Sequence, residues 1–156
     1  MTACFRLFEA VIEPSVGVVE GWRDLCSPES YRLAVAGKSE WFMTPQTAAR
    51  LGRSARTISA RLRRARTHSE AVKPCTVFTG RSKDGELMIE VGIIDANAIY
   101  ISFRDATRLH LIGDQAEVLL QAFALFEDVS IPVGPVRHYQ LAIPGAQMFE
   151  SWDWWR

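Results

Sequence analysis

Residues 44–66 read TPQTAARLGRSARTISARLRRAR, and the way this stretch divides decides the fold of the whole chain. Thr44 followed by Pro45 is a helix start, with threonine as the cap and proline at the first helical position. Ala48 and Leu51, three residues apart, share one face, and Gly52 can take the positive φ of a helix end. The spacing predicts a short helix over 45–51, a turn at Gly52, and a second helix over 55–66. In the second helix Ala55, Ile58, Leu62 and Ala65 recur at intervals of 3, 4 and 3, an apolar stripe of helical period. At about 100° per residue the opposite face presents Arg56, Ala60, Arg63 and Arg64, with Arg53 just before it and Thr57 and Ser59 on the flanks.

The charge of this stretch differs from that of its surroundings. From Trp41 to Ser69 there are seven arginines and no acidic residue, although the chain of 156 residues is neutral, with 18 Lys and Arg against 18 Asp and Glu. The rest of the chain is therefore as acidic as this segment is basic. Such polarity predicts a local anion-binding face on an acidic body, against the plainer reading of a solvated arginine-rich helix surface.

The segment resembles a helix-turn-helix DNA-binding unit. Ala48, Gly52 four residues on, Ile58 six further and then Leu62 stand where such units place small, turn, β-branched and apolar residues, because two helices crossing over a tight turn leave little room. The run RTISARLRRAR is similar to the recognition helix in region 4 of bacterial sigma factors and in response regulators. There the unit closes the chain, whereas here residues 67–156 follow it. The resemblance implies that the second helix enters the major groove with Arg56, Ser59, Ala60 and Arg63 toward base edges, while Thr44, Arg53, Arg64 and Arg66 hold phosphates. Double-stranded DNA is then the expected partner. A homodimer is expected too, because two recognition helices read a palindrome.

On either side the pattern changes. In residues 1–43, FRLFEAVI at 5–12 satisfies neither the helical nor the strand period, while Ser27, Pro28 and Gly37 bracket an expected helix near 28–36. Beyond the basic stretch, CTVFTG (75–80), ELMIEVGII (86–94), AIYISF (98–103) and RLHLI (108–112) are β-rich runs separated by connections too short for parallel crossovers. A helix follows, with Asp114 as its cap and Ala116, Leu119, Leu120, Ala122, Phe123, Leu125 and Phe126 along it. An edge strand is expected around 137–143. The tail MFESWDWWR offers Trp152, Trp154 and Trp155 as partner or dimer contacts, or as a cover for the chain's own core.

Chemistry of the reactive kind finds little footing. His68, His110 and His138 stand in no nucleophile or metal spacing, and Gly37-Lys38-Ser39 lacks the upstream glycine of a phosphate loop, since that position is Arg32. Cys4, Cys26 and Cys75 form no C-x-x-C pair and read as small buried apolar residues. Charges interrupt the apolar N-terminus, so neither a signal peptide nor a membrane span is expected, and the cytoplasm is the default location. The expectation is an α+β protein in two parts: a helical part over 1–70 holding the helix-turn-helix, and a lobe over 71–156 of about four antiparallel strands with a covering helix. Its expected function is DNA binding in transcription regulation, with no catalytic activity, metal or cofactor. The alternative is a small interaction protein, an inhibitor or adaptor, whose arginine face binds an acidic protein or a nucleic-acid-binding partner.

Overall fold

The alternation of Tyr31, Leu33 and Val35 decides the N-terminal third. In the computed structural model, which describes residues 4–12, 17–25, 29–35, 39–82, 84–104, 108–127, 140–143 and 146–149, these three side chains are buried and their neighbours are not. Residues 30–35 are accordingly a strand, and the helix expected over 28–36 is not formed. Period-two burial of aromatic and β-branched residues outweighs a Ser-Pro start signal, which itself falls outside the described residues. The strand belongs to a four-stranded antiparallel meander: β1 (Cys4–Ile12), β2 (Gly17–Asp24), β3 (Ser30–Val35) and β4 (Ser39–Met43). The expected helical N-terminal part is thus corrected to a sheet. In β1 the register shifts between Arg6 and Phe8, which turns the neighbours Leu7 and Phe8 both into the core. That bulge breaks the alternation, and so residues 5–12 fit neither period.

Pro45–Thr67 then forms one unbroken helix, α1, of 23 residues. The start is as the sequence implies: the Thr44 side chain caps it by accepting the Thr47 amide at 3.2 Å. No turn interrupts it at Gly52. This glycine is buried in mid-helix, where a Cβ would come 2.6 Å from the backbone nitrogen of Glu127. Gly52 serves close packing and not a change of direction, so the expected pair of short helices is replaced by a single rod.

The order of strands and helix in the second half is the expected one, but the helix packs mainly on α1 and the first sheet and does not serve as a cover for these strands. Strands β5 (Cys75–Arg81), β6 (Leu87–Asp95), β7 (Ala98–Phe103) and β8 (Arg108–Ile112) make an antiparallel meander, and α2 (Asp114–Ala124) follows, continued by a 3-10 turn at Leu125–Glu127. Gly113, not Asp114, occupies the cap; Asp114 and Glu117 lie in the first turn, where they complement the helix dipole. The chain therefore runs through four strands and a helix twice, a repetition with no trace in the residues themselves. A hairpin of β9 (Gln140–Ile143) and β10 (Ala146–Phe149) returns to β1, giving one sheet in the order β4-β3-β2-β1-β10-β9 and another in the order β5-β6-β7-β8. Residues 137–139 of the expected edge strand lie outside the described residues.

One continuous core joins the two halves. α1 touches β3 and β4 of the first sheet and β5 and β6 of the second, while α2 touches β1 and β10 on one side and β8 on the other. The buried face of α1 carries Ala48, Leu51, Ala55, Ile58, Leu62 and Ala65 with Gly52. Aromatic rings lock the centre: Phe8 lies 5.4 Å from Phe126, which also meets Tyr31 at 6.1 Å, and Trp41 of β4 meets Phe78 of β5 at 6.3 Å. With its inner face committed to this core, α1 presents only its outer face to solvent.

Candidate functional site

The seven arginines of α1 divide into three groups by what flanks the helix. Along the crest, Gln46, Arg53, Thr57, Ala60, Arg64 and Thr67 are all exposed and, at about 100° per residue, lie opposite the buried stripe. Among the described residues, the guanidinium groups of Arg53 and Arg64 meet no carboxylate within salt-bridge distance. Eleven residues at about 1.5 Å each set them roughly 16 Å apart along the axis, with Thr57 and Ala60 leaving a low saddle between them.

On the side toward α2 the arginines are answered by glutamates. Arg63 donates to Glu117, whose Oε2 lies 4.0 Å from Arg66, and the Ser59 hydroxyl donates to both Glu117 oxygens at 3.0 and 3.2 Å. Gln121 adds a 3.5 Å contact from α2 itself. Burial pushes the Glu117 carboxyl upward, but the hydrogen bonds from Arg63 and Ser59 outweigh it and hold the group below the usual glutamate value. One turn earlier, Arg56 approaches Glu127 Oε2 at 3.3 Å. That approach is near enough for ionic attraction yet misaligned for a hydrogen bond, so the buried oxygen has no donor.

The third group faces the second sheet. Arg50 donates from Nη2 to the Thr79 carbonyl at 3.0 Å and stacks 5.1 Å from the Phe78 ring centroid, while Arg61 Nη1 lies 3.6 Å from Cys75 Sγ. These contacts tie the helix to β5, a structural use of two arginines that the sequence reading left without a role. Comparison with known proteins finds no matching family model, no similar curated protein and no similar solved structure.

The residues expected to serve the site are therefore separated in space. Of the four assigned to base edges, Ala60 alone is on the open crest; Arg56, Ser59 and Arg63 turn toward the glutamates of α2 and the 3-10 turn. Of the four assigned to phosphates, Arg53 and Arg64 are on the crest, Thr44 is the helix cap, and Arg66 leans toward Glu117. Trp152, Trp154 and Trp155 lie outside the described residues. Glu117 and Glu127, absent from the expected site, carry no local signal in the sequence, because they reach α1 from more than fifty positions away. Cys4 and Cys75 are half-buried, not fully buried as expected; Cys26 lies outside the described residues. Among the described residues no three His, Cys, Asp or Glu side chains gather as metal ligands, and no helix is long and apolar enough to cross a membrane.

Geometry and charge together limit what this face can do. The outer surface of a helix is convex, so it offers a ridge to a macromolecule and no enclosure to a small substrate. Arginines with little conformational company on a ridge suit contact with carboxylates of a facing surface, where the planar fork binds in pairs.

Proposed function

We propose that this chain is a small interaction protein, an inhibitor or adaptor, and that the crest of α1 docks on an acidic protein surface. One observation carries the reading: Arg53 and Arg64 stand unanswered by any described carboxylate on a helix that contains no acidic residue, while their neighbours Arg56, Arg63 and Arg66 are already matched by glutamates. Arg50 and Arg61 meet no described carboxylate either, but they are engaged with β5, so the positive charge on the crest itself lies at two points with a saddle of small residues between them, a spacing that selects a partner with two carboxylate clusters. Duplex DNA fits this ridge less well. The continuous helix has no turn to lift a recognition helix clear of its support.

Two probes separate these partners. Poly-L-glutamate and a pool of random duplex DNA are each presented to the protein at about 0.15 M salt, and any retained DNA is amplified and sequenced. The expected outcome is retention of the acidic polypeptide, weakened about tenfold or more by each of Arg53→Glu and Arg64→Glu and unaffected by the control Arg81→Glu on β5. Enrichment of a palindromic DNA motif would overturn the proposal in favour of a sequence reader. Retention insensitive to both reversals would remove the crest from consideration.

A further inference from the structure

On the outer face of the second sheet two cross-strand rows lie side by side. Thr76, Gly92, Tyr100 and His110 are paired across β5 to β8, and Glu90, Ser102 and Arg108 are paired across β6 to β8. Between them is an open cavity of about 380 Å³ lined by Cys75, Thr76, Glu90, Tyr100, Ser102 and Arg108, with Pro74 at its end. This volume falls in the range of small-molecule sites.

The floor of the cavity is fixed in place. Gly92 has no side chain because one there would collide with the Tyr100 ring and the Cys75 carbonyl, so the ring lies flat across the strand. The Tyr100 hydroxyl is bonded to the Thr76 hydroxyl, and the Arg108 guanidinium sits 5.0 Å from the ring centroid. A ring held along its body and at its tip, with a cation stacked on it, loses little freedom when a ligand arrives.

The charges flanking this floor are kept apart. Glu90 and Arg108 have opposite sign, share one face, and are separated by the β7 strand, with Ser102 between them; two strand spacings put their Cα atoms roughly 10 Å apart. Neither makes a salt bridge with the other or with any described residue. Elsewhere the same residue types close on each other: on the outer face of the first sheet Arg6 pairs with Glu9 and Glu20, and Arg32 with Glu40 at 3.0 Å.

The geometry points to a binding site for a small zwitterion, an α-amino acid, whose carboxylate meets the Arg108 fork and whose ammonium meets the Glu90 carboxylate. The Ser102 hydroxyl lies beneath the ligand's α-carbon and bonds either group, and the amino acid's side chain projects toward Thr76 and Pro74. Both charges of the ligand are needed, because a ligand with one leaves the opposite wall of the cavity unanswered.

Isothermal titration with the twenty amino acids, propylamine and propionate tests this on the full chain. At least one amino acid is expected to bind saturably, with propylamine and propionate each at least tenfold weaker, and Glu90→Gln and Arg108→Gln each expected to lower its affinity tenfold or more. Chemical-shift changes on its addition are expected to centre on the amides of β6, β7 and β8, a readout that does not depend on the variants. Propionate binding as tightly as the best amino acid would make this a simple anion site and overturn the zwitterion assignment. Absence of saturable binding by any of the twenty, or binding unchanged in both variants, would overturn the site itself.

Discussion

At Gly52 a single hydrogen stands where any other residue would place carbon against the Glu127 backbone. In an open helix interior, glycine to alanine gains about 0.5–1 kcal/mol. Here the added methyl must displace the 3-10 turn or bend α1, and overpacking of this kind costs about 1–3 kcal/mol. Gly52→Ala is therefore expected to lower the urea midpoint; a raised midpoint would show that the crossing has slack. Glu117 gives a prediction in pH. Its carboxyl is held below the ordinary value of about 4.3, so the stability it contributes is present above that value and lost as pH falls through the lower folded value. Glu117→Gln is expected to cost about 1 kcal/mol near neutral pH, an amount limited by the exposed arginine side of the pair. Unfolding curves of the two proteins should converge under acid. A gap of constant size at every pH would mean that Arg63 and Ser59 do not depend on the charge.

Among elements, α1 combines arginines of opposite purpose, and stability measurements can separate them. Arg53→Ala and Arg64→Ala remove exposed groups with no described ionic partner, so each is expected to shift stability by less than about 0.5 kcal/mol. Arg50→Ala loses both the Thr79 carbonyl bond and the stack on Phe78, and is expected to cost about 1 kcal/mol or more in thermal melts. Equal effects at all three positions would contradict the division into crest and flank. The same helix marks the limit of what its residues disclose locally. Its cap, its arginines and its apolar stripe are readable, as are β5 to β8, where short connections leave no choice but hairpins. Gly52 is ambiguous because a turn and a close crossing both select glycine, and the residue that crosses is Glu127. Arg56 and Arg63 have the spacing of outward-facing residues, yet their partners come from the far end of the chain. In β1 the bulge at Leu7 conceals a strand, and in β3 a helix-start signal competes with a clear alternation and loses.

Over the whole molecule, Phe8, Phe123, Phe126 and Tyr31 connect the first sheet to α2, and the core they anchor continues through α1 into the second sheet. Phe126→Ala is expected to cost about 3–5 kcal/mol, and both halves should unfold together, with tryptophan fluorescence and circular dichroism giving one coincident transition. Two separated transitions would show that the halves hold their structure independently. The closure of the first sheet adds a constraint in time. Glu9 pairs with Phe149, so β1 is made about 140 residues before the strand that completes it. At growth rates of about 5–20 residues per second, one edge of β1 stays open for on the order of ten seconds in each round of synthesis. An open strand edge is adhesive, and during that interval the nascent chain already carries the α1 segment, so an open edge and the arginine-rich helix are made long before the β9–β10 hairpin that seals β1.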